Sequence, residues 1–228
     1  MNHLFFDLAS LLFPVYCPVC RSVLYQPGSV LCLKCELDLP RTDYTQCPDN
    51  PVAQLFWGRA SVDCATSLFR FEKGSRYQAL LHQLKYRGSD QIGVYLGKLL
   101  GNELKRTVFA DCDVLVPVPL HRKKLRKRGY NQSERIAAGV SSILGIPVRS
   151  DILYRRVHTL TQTNKGRYDR AVNMEDAFSV SGCFQTTDPL SILLIDDVVT
   201  TGSTLEACAN ALLKIPCVTV MIATVACA

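Results

Sequence analysis

The chain has 228 residues, 48% hydrophobic and 20% charged, the make-up of one folded domain with a small appendage and not of a disordered chain. Its net charge of +6 is modest but uneven: six of the seven residues in Arg122–Arg128 are basic, so one surface suits phosphates or nucleic acid. Eleven cysteines would fit a disulfide-stapled secreted protein. The odd total, two CxxC pairs and no secretion signal point instead to a reducing, cytoplasmic setting.

Residues 4–13 are apolar, with Leu4, Leu8, Leu11 and Leu12 at helical spacing. They lack a basic lead-in, Asp7 interrupts them, and they are too few to cross a bilayer. A packed amphipathic helix is expected there, and no membrane span. Cys17-Pro-Val-Cys20 and Cys32-Leu-Lys-Cys35 follow, separated by eleven residues. A CxxC turn lets two thiolates converge on one ion, and two such turns complete a tetrahedral sulfur set suited to zinc. Four ligands leave no open position, so the zinc at Cys17, Cys20, Cys32 and Cys35 is expected to be structural; four unliganded thiols are the alternative. Cys47 and Cys64 have no CxxC companion and predict no second site.

Residues 40–59, with Pro40, Pro48, Pro51 and Gly58, read as an irregular connection, which sets a small N-terminal domain over 1–58 and a larger one over 59–228. In the larger domain the pattern predicts a strand at 65–71, helices at 75–86 and 92–104, and a buried strand at 113–118. Asn131-Gln-Ser-Glu134 has the form of a capping box and opens a helix that ends near Gly145. A short strand at 152–155, an apolar strand at 191–195, a helix at 203–213 and a last strand at 218–225 complete the pattern. Strands alternating with helices give an α/β fold with an open, mostly parallel sheet covered on both faces.

The most informative stretch is Ile192-Leu-Leu-Ile-Asp-Asp-Val-Val-Thr-Thr-Gly-Ser-Thr204, a strand that ends in two carboxylates and a hydroxyl-rich turn before a helix. In such a sheet the ligand crevice lies at the carboxyl ends of the strands. Backbone N–H groups, the hydroxyls of Thr200, Thr201, Ser203 and Thr204, and the positive helix end make an anion cradle, with Gly202 keeping a side chain out of the way. Asp196 and Asp197 would repel a phosphate beside them. They suit sugar hydroxyls or Mg²⁺ instead, so the whole reads as a ribose-phosphate site.

This segment resembles the phosphoribosyl pyrophosphate (PRPP) motif of type I phosphoribosyltransferases along its whole length. The resemblance implies PRPP contacts from Asp196, Asp197, Val198, Val199, Thr200, Thr201, Gly202, Ser203 and Thr204, Mg²⁺ bound with PRPP, and a role for the two carboxylates in any catalysis. It also implies that the loop after Val116-Pro-Val-Pro-Leu-His121, at Pro119, Leu120 and His121, binds pyrophosphate. The series CxxC…CxxC, His82-Gln-Leu-Lys-Tyr86, PVPL, RGYNQS, Gln162-Thr163 and DDVVTTGST resembles the ComF/GntX-like competence family over essentially the full chain. That implies a cytoplasmic bacterial protein that handles single-stranded DNA in transformation together with other competence proteins. Some relatives have a second cysteine set; only Cys47 stands in that region here. The resemblance also makes Lys85 a ligand candidate and implies a mobile lid at 154–173, for which a solvated basic loop with no closing role is the alternative.

The basic run has three readings: neutralising pyrophosphate, binding a nucleic-acid backbone, or a solvated face. Six cations exceed what one pyrophosphate needs, which favours DNA phosphates as a shared role for Arg122, Lys123, Lys124, Arg126, Lys127 and Arg128. Tyr130 either stacks a base or packs in the core. Three functions stay open: a PRPP-binding regulator, an adaptor for incoming single-stranded DNA, and a working phosphoribosyltransferase of nucleotide metabolism.

Overall fold

A computed structural model describes residues 14–26, 28–86, 90–155 and 177–228. The helix expected over 4–13, the lid residues 156–173 with His158, Gln162 and Thr163, and Arg87 lie outside the described residues. The core is a parallel sheet in the order β3 (Cys64–Arg70), β8 (Val218–Cys227), β7 (Leu190–Val199), β4 (Val114–Pro117). Beyond β4 the sheet gains one more step where Leu115 bridges Val148 in parallel.

β7 and β8 are apolar in continuous runs because both faces of the sheet are covered. Ile192, Leu193, Leu194 and Ile195 are all fully buried, and they alternate between two cores. Leu193 and Ile195 face α4 (Asp90–Leu104) and α6 (Gln132–Leu144), while Ile192 and Leu194 face α7 (Ser203–Leu212). α4 and α6 approach so closely that a Cβ on Gly97 would overlap the Ile136 carbonyl oxygen, and one on Gly139 the Val94 carbonyl oxygen. The glycines of α4, helix-weakening in isolation, let the two backbones meet.

The N-terminal part carries a two-stranded hairpin, β1 (Val15–Tyr16) with β2 (Val23–Leu24), and α1 (Leu33–Leu37). It does not stand apart: Leu24, Leu31, Cys35 and Leu39 share a core with Leu68, Tyr77 and Leu96. Tyr77 Oη donates to Cys35 O at 3.0 Å, and Tyr95 of α4 donates to the Glu36 carboxylate. The segment over 40–59 is more ordered than its prolines imply. Asn50 caps α2 (Pro51–Gln54) by accepting from Val52 N and Ala53 N, and Phe56 is 1% exposed.

Other departures have local causes. β7 runs on through the acidic pair to Val199 because β8 keeps pairing beyond it, Asp196 opposite Thr224 and Val199 opposite Cys227. The helix expected at 75–86 is shorter, α3 (Gln78–Gln83), and β5 (Leu153–Arg155) gains an antiparallel partner in β6 (Phe178–Val180). The basic run is itself a helix, α5 (Arg122–Arg128), capped by His121 Nδ1 accepting from Lys123 N and ended by Gly129 at φ 86°.

Candidate functional site

β4 and β7 are neighbours, so the segments that leave their carboxyl ends meet above the sheet. A cleft of about 210 Å³ forms there between Pro119 and Leu120 on one side and Asp196, Asp197 and Thr204 on the other. A second hollow of about 60 Å³ lies inside the turn and is lined by Val198, Val199, Thr200, Thr201, Gly202 and Ser203. Asp196 borders both. Gly202 sits at φ 75°, left-handed, and no side chain caps α7, so the first turn of that helix is open to an anion. Two segments over 70 residues apart in sequence are thus brought together as the motifs anticipate. His121 caps α5 and is not among the residues that line the cleft.

Three residues of the RGYNQS motif, Tyr130, Asn131 and Ser133, each hold a different part of the cleft. Tyr130 Oη donates to Leu84 O at 2.6 Å and Tyr86 O at 3.2 Å, gripping the backbone on both sides of Lys85, which lines the cleft. Asn131 caps α6 and donates from Nδ2 to Val118 O at 3.0 Å, fixing the strand end before Pro119. Ser133 Oγ donates to Asp196 Oδ1 at 2.8 Å. Gln132 accepts from Arg128 at 2.7 Å through Oε1; its Nε2 is buried and without a hydrogen-bond partner among the described residues. The ring of Tyr130 is 8% exposed, so it occupies the core place and offers no face to a base. The sequence foretold Asn131 as the cap of α6 but none of the longer-range roles, whose bonds span from 4 to more than 60 residues.

Charge is sorted around the pair. Burial, and then the neighbouring Asp197, push the Asp196 carboxyl up to about 7, while Ser133, the Asp197 N–H and Lys85 pull the other way. Lys124, Arg128 and Arg155 also line the cleft. Arg155 lies with its guanidinium carbon 5.2 Å from the centre of the Phe178 ring. The basic helix therefore divides: Lys124 and Arg128, one turn apart, line the cleft, while Arg122, Lys123 and Lys127 are exposed and do not.

At the other end of the protein, the Sγ atoms of Cys17, Cys20, Cys32 and Cys35 all lie within 4.8 Å of one another. A tetrahedron with ~2.3 Å metal–sulfur bonds has edges of ~3.8 Å, so the cluster can hold a metal ion with little adjustment. Ser22 beside Cys20 holds that thiol down, to about 6. Among the described residues no other group of three or more metal-ligating side chains forms, and Cys47 and Cys64 stay outside. No helix of the described residues is long and apolar enough to cross a membrane.

No family model matches the chain. Competence protein F of Haemophilus influenzae is 33% identical over 140 residues, 60% of this chain and 61% of that protein. The DNA utilization protein YhgH of Escherichia coli K12 is 29% identical over 215 residues, 88% of this chain and 92% of that one. The chain is thus similar, over most of its length, to proteins named for competence and DNA utilization. Competence protein ComFC of Bacillus subtilis is a further relative, 26% identical over 87% of this chain and 78% of that one. The aligned part spans about three-fifths of the length of the first relatives matched, 61% to 63%. Among solved structures, the glutamine PRPP amidotransferase of B. subtilis gives a TM-score of 0.40 at 20% identity, covering 59% of this chain and 26% of that one. Adenine phosphoribosyltransferase of Leishmania tarentolae gives 0.37 at 12%, covering 78% and 88%.

Proposed function

We propose that the chain is a cytoplasmic competence protein that binds PRPP or a related ribose phosphate in the cleft and handles single-stranded DNA during transformation. One observation carries the ligand: the acidic pair, the open anion turn and the PVPL loop border adjoining hollows at the carboxyl ends of two adjacent strands. The turn takes the 5′-phosphate, Asp196 and Asp197 the ribose hydroxyls, and the loop at Pro119 and Leu120 with Lys124 and Arg128 the pyrophosphate. The unbonded Gln132 amide is a donor that a pyrophosphate oxygen would satisfy. The carboxylates are oxygen donors of the kind Mg²⁺ takes, and Mg²⁺ would neutralise the pyrophosphate. The four cysteines would hold zinc in a structural role.

Calorimetric titration of PRPP with Mg²⁺ tests the site. Wild type should bind, and Asp196→Asn/Asp197→Asn should bind at least about tenfold more weakly. A folded, zinc-loaded wild type that takes up no PRPP removes the proposal.

The names of the relatives, competence and DNA utilization proteins, support the second half. The exposed cations of α5 supply a surface for a nucleic-acid backbone that is separate from the cleft. Lys123→Ala/Lys127→Ala should weaken single-stranded DNA binding and lower its salt slope by about 1 to 2, with PRPP affinity unchanged. An unchanged DNA affinity would move the interface elsewhere.

The cations that surround the acidic pair also favour transfer chemistry. In that reading an acceptor's lone pair forms a bond to the ribose anomeric carbon, the bond from that carbon to pyrophosphate oxygen breaks, and the electron pair leaves with pyrophosphate while the acceptor's proton passes to solvent. Lys85, Lys124, Arg128 and Arg155 would stabilise the departing charge. Pyrophosphate release from PRPP in the presence of candidate acceptors tests it, with Asp196→Asn/Asp197→Asn as the blank.

A further inference from the structure

We infer that Arg59 is the positioning residue of the anion turn, acting from behind it to aim its backbone N–H groups at a ligand phosphate. This rests on the ribose-phosphate reading given above and deepens it. Arg59 leaves the N-terminal segment just after Phe56, far in sequence from the turn it serves. Its guanidinium donates to Leu55 O at 2.9 Å and to Thr201 O at 2.9 Å. The other terminal nitrogen reaches Ser203 Oγ at 3.5 Å and pairs with the Glu206 carboxylate of α7. The Arg59 carbonyl in turn accepts from Asn210 Nδ2 at 3.4 Å, so the residue is tied to α7 at both ends.

The bond to Thr201 O is the informative one. In a trans peptide the C=O and the next N–H point in opposite directions. Pinning the Thr201 oxygen against Arg59 therefore turns the Gly202 N–H away from the guanidinium. Arg59 does not line the hollow of the turn, whereas Thr201 and Gly202 do. The N–H is thus directed toward the hollow, where a phosphate oxygen would sit. The same guanidinium supports the Ser203 hydroxyl, which is 3.1 Å from that of Thr201.

Packing enforces the arrangement. A Cβ at Gly202 would meet the Phe56 ring at 3.3 Å and Leu55 Cβ at 3.4 Å, so the segment 55–59 lies directly against the back of the turn. Glu206 balances the charge of Arg59. The arginine therefore serves geometry rather than adding a cation to the hollow. Lysine would keep the charge but cannot span two carbonyls, a hydroxyl and a carboxylate with one planar fork.

The test uses the full, zinc-loaded chain and two probes that occupy different halves of the site: ribose 5-phosphate, held by the turn, and inorganic pyrophosphate with Mg²⁺, held by the PVPL loop. Arg59→Ala and Arg59→Lys should each lose about tenfold in affinity for ribose 5-phosphate and keep pyrophosphate affinity within about twofold. Arg59→Lys is there in case the alanine variant does not fold, and near-UV circular dichroism confirms the fold of each. Wild-type affinity for ribose 5-phosphate in either folded variant, or an equal loss for both probes, overturns the role of Arg59. A wild type that binds neither probe overturns the ribose-phosphate reading itself, and with it this inference.

Discussion

The cysteine corner is assembled within residues 17–35, the cleft from segments scattered between residues 85 and 204. In the corner, ligand type and spacing are the whole design: two tight turns bring four soft donors together whatever surrounds them. In the cleft no segment is a site alone. The anion turn becomes one only because β7 lies beside β4, and because α6 starts where its side chains can reach Val118 O and Asp196 at once. A local site should fail alone when broken, and an assembled site should fail whenever its scaffold moves.

Breaking the corner should have the largest effect. Cys35 is 1% exposed and its cluster joins the N-terminal segment to the main core, so Cys35→Ser removes both a candidate ligand and an anchor of that segment. The variant should hold no metal by mass spectrometry and lose ~3–5 kcal/mol, about 10 °C in Tm for a chain this size. Yet the cleft is built from other residues, so ribose 5-phosphate affinity below the new Tm should stay within about threefold. A metal-loaded Cys35→Ser protein of normal Tm would show that the four thiols are not a ligand set.

The scaffold of the cleft is tested at the crossing of α4 and α6. Gly97→Ala places a methyl group against the Ile136 backbone, which cannot turn aside, and should cost ~2–3 kcal/mol. Because α6 delivers Asn131, Gln132 and Ser133 to the cleft, ligand affinity should fall as well, although Gly97 touches no part of it. Gly182→Ala, with open space around its Cβ, is the control and should change stability by less than ~0.5 kcal/mol. Loss of stability with ligand affinity intact would show that the cleft tolerates a shifted α6.

The same contrast explains what could be read from the sequence. The cysteine cluster, the order of strands and helices, and the acidic pair with its turn were legible because each is a short pattern with one physical meaning. The wall-holding roles of Tyr130, Asn131 and Ser133 were not, because polar side chains in a capping sequence announce a helix start and say nothing of distant partners. Ser133 is the clearest case: in sequence it is an ordinary residue of a first helical turn, and only the fold sets it beside Asp196. How the basic run divides its cations was not legible either. As a helix it splits into two faces, a division that periodicity over seven residues could have offered. The connection over 40–59 hid its order for a similar reason, since Pro51 at the start of a helix looks the same as a proline in a loop.

The smallest effect expected is also the most specific to the site. With its carboxyl raised to about 7, Asp196 keeps its proton in the folded state well above the ~3.9 at which it ionises in an unfolded chain. The stability this gives is full below about pH 4, declines as pH rises toward 7, and is spent above it. Ligand affinity should run the other way, rising through about pH 7, because the ionised carboxylate is the better acceptor for ribose hydroxyls. Ser133 donates to Asp196 and favours that ionised form, so Ser133→Ala should move the rise in affinity to higher pH and lower stability at pH 8 by ~1 kcal/mol. Ser133→Thr, which keeps the hydroxyl, should restore both, and Asp196→Asn should remove the rise altogether. The ionisation of the ligand phosphate near pH ~6 is common to all four proteins and cancels in the comparison. A rise that stays in place in Ser133→Ala but disappears in Asp196→Asn would mean that burial alone sets the titration of Asp196. A rise that persists in Asp196→Asn would assign it to another group, and the acidic pair would lose its part in reading the sugar.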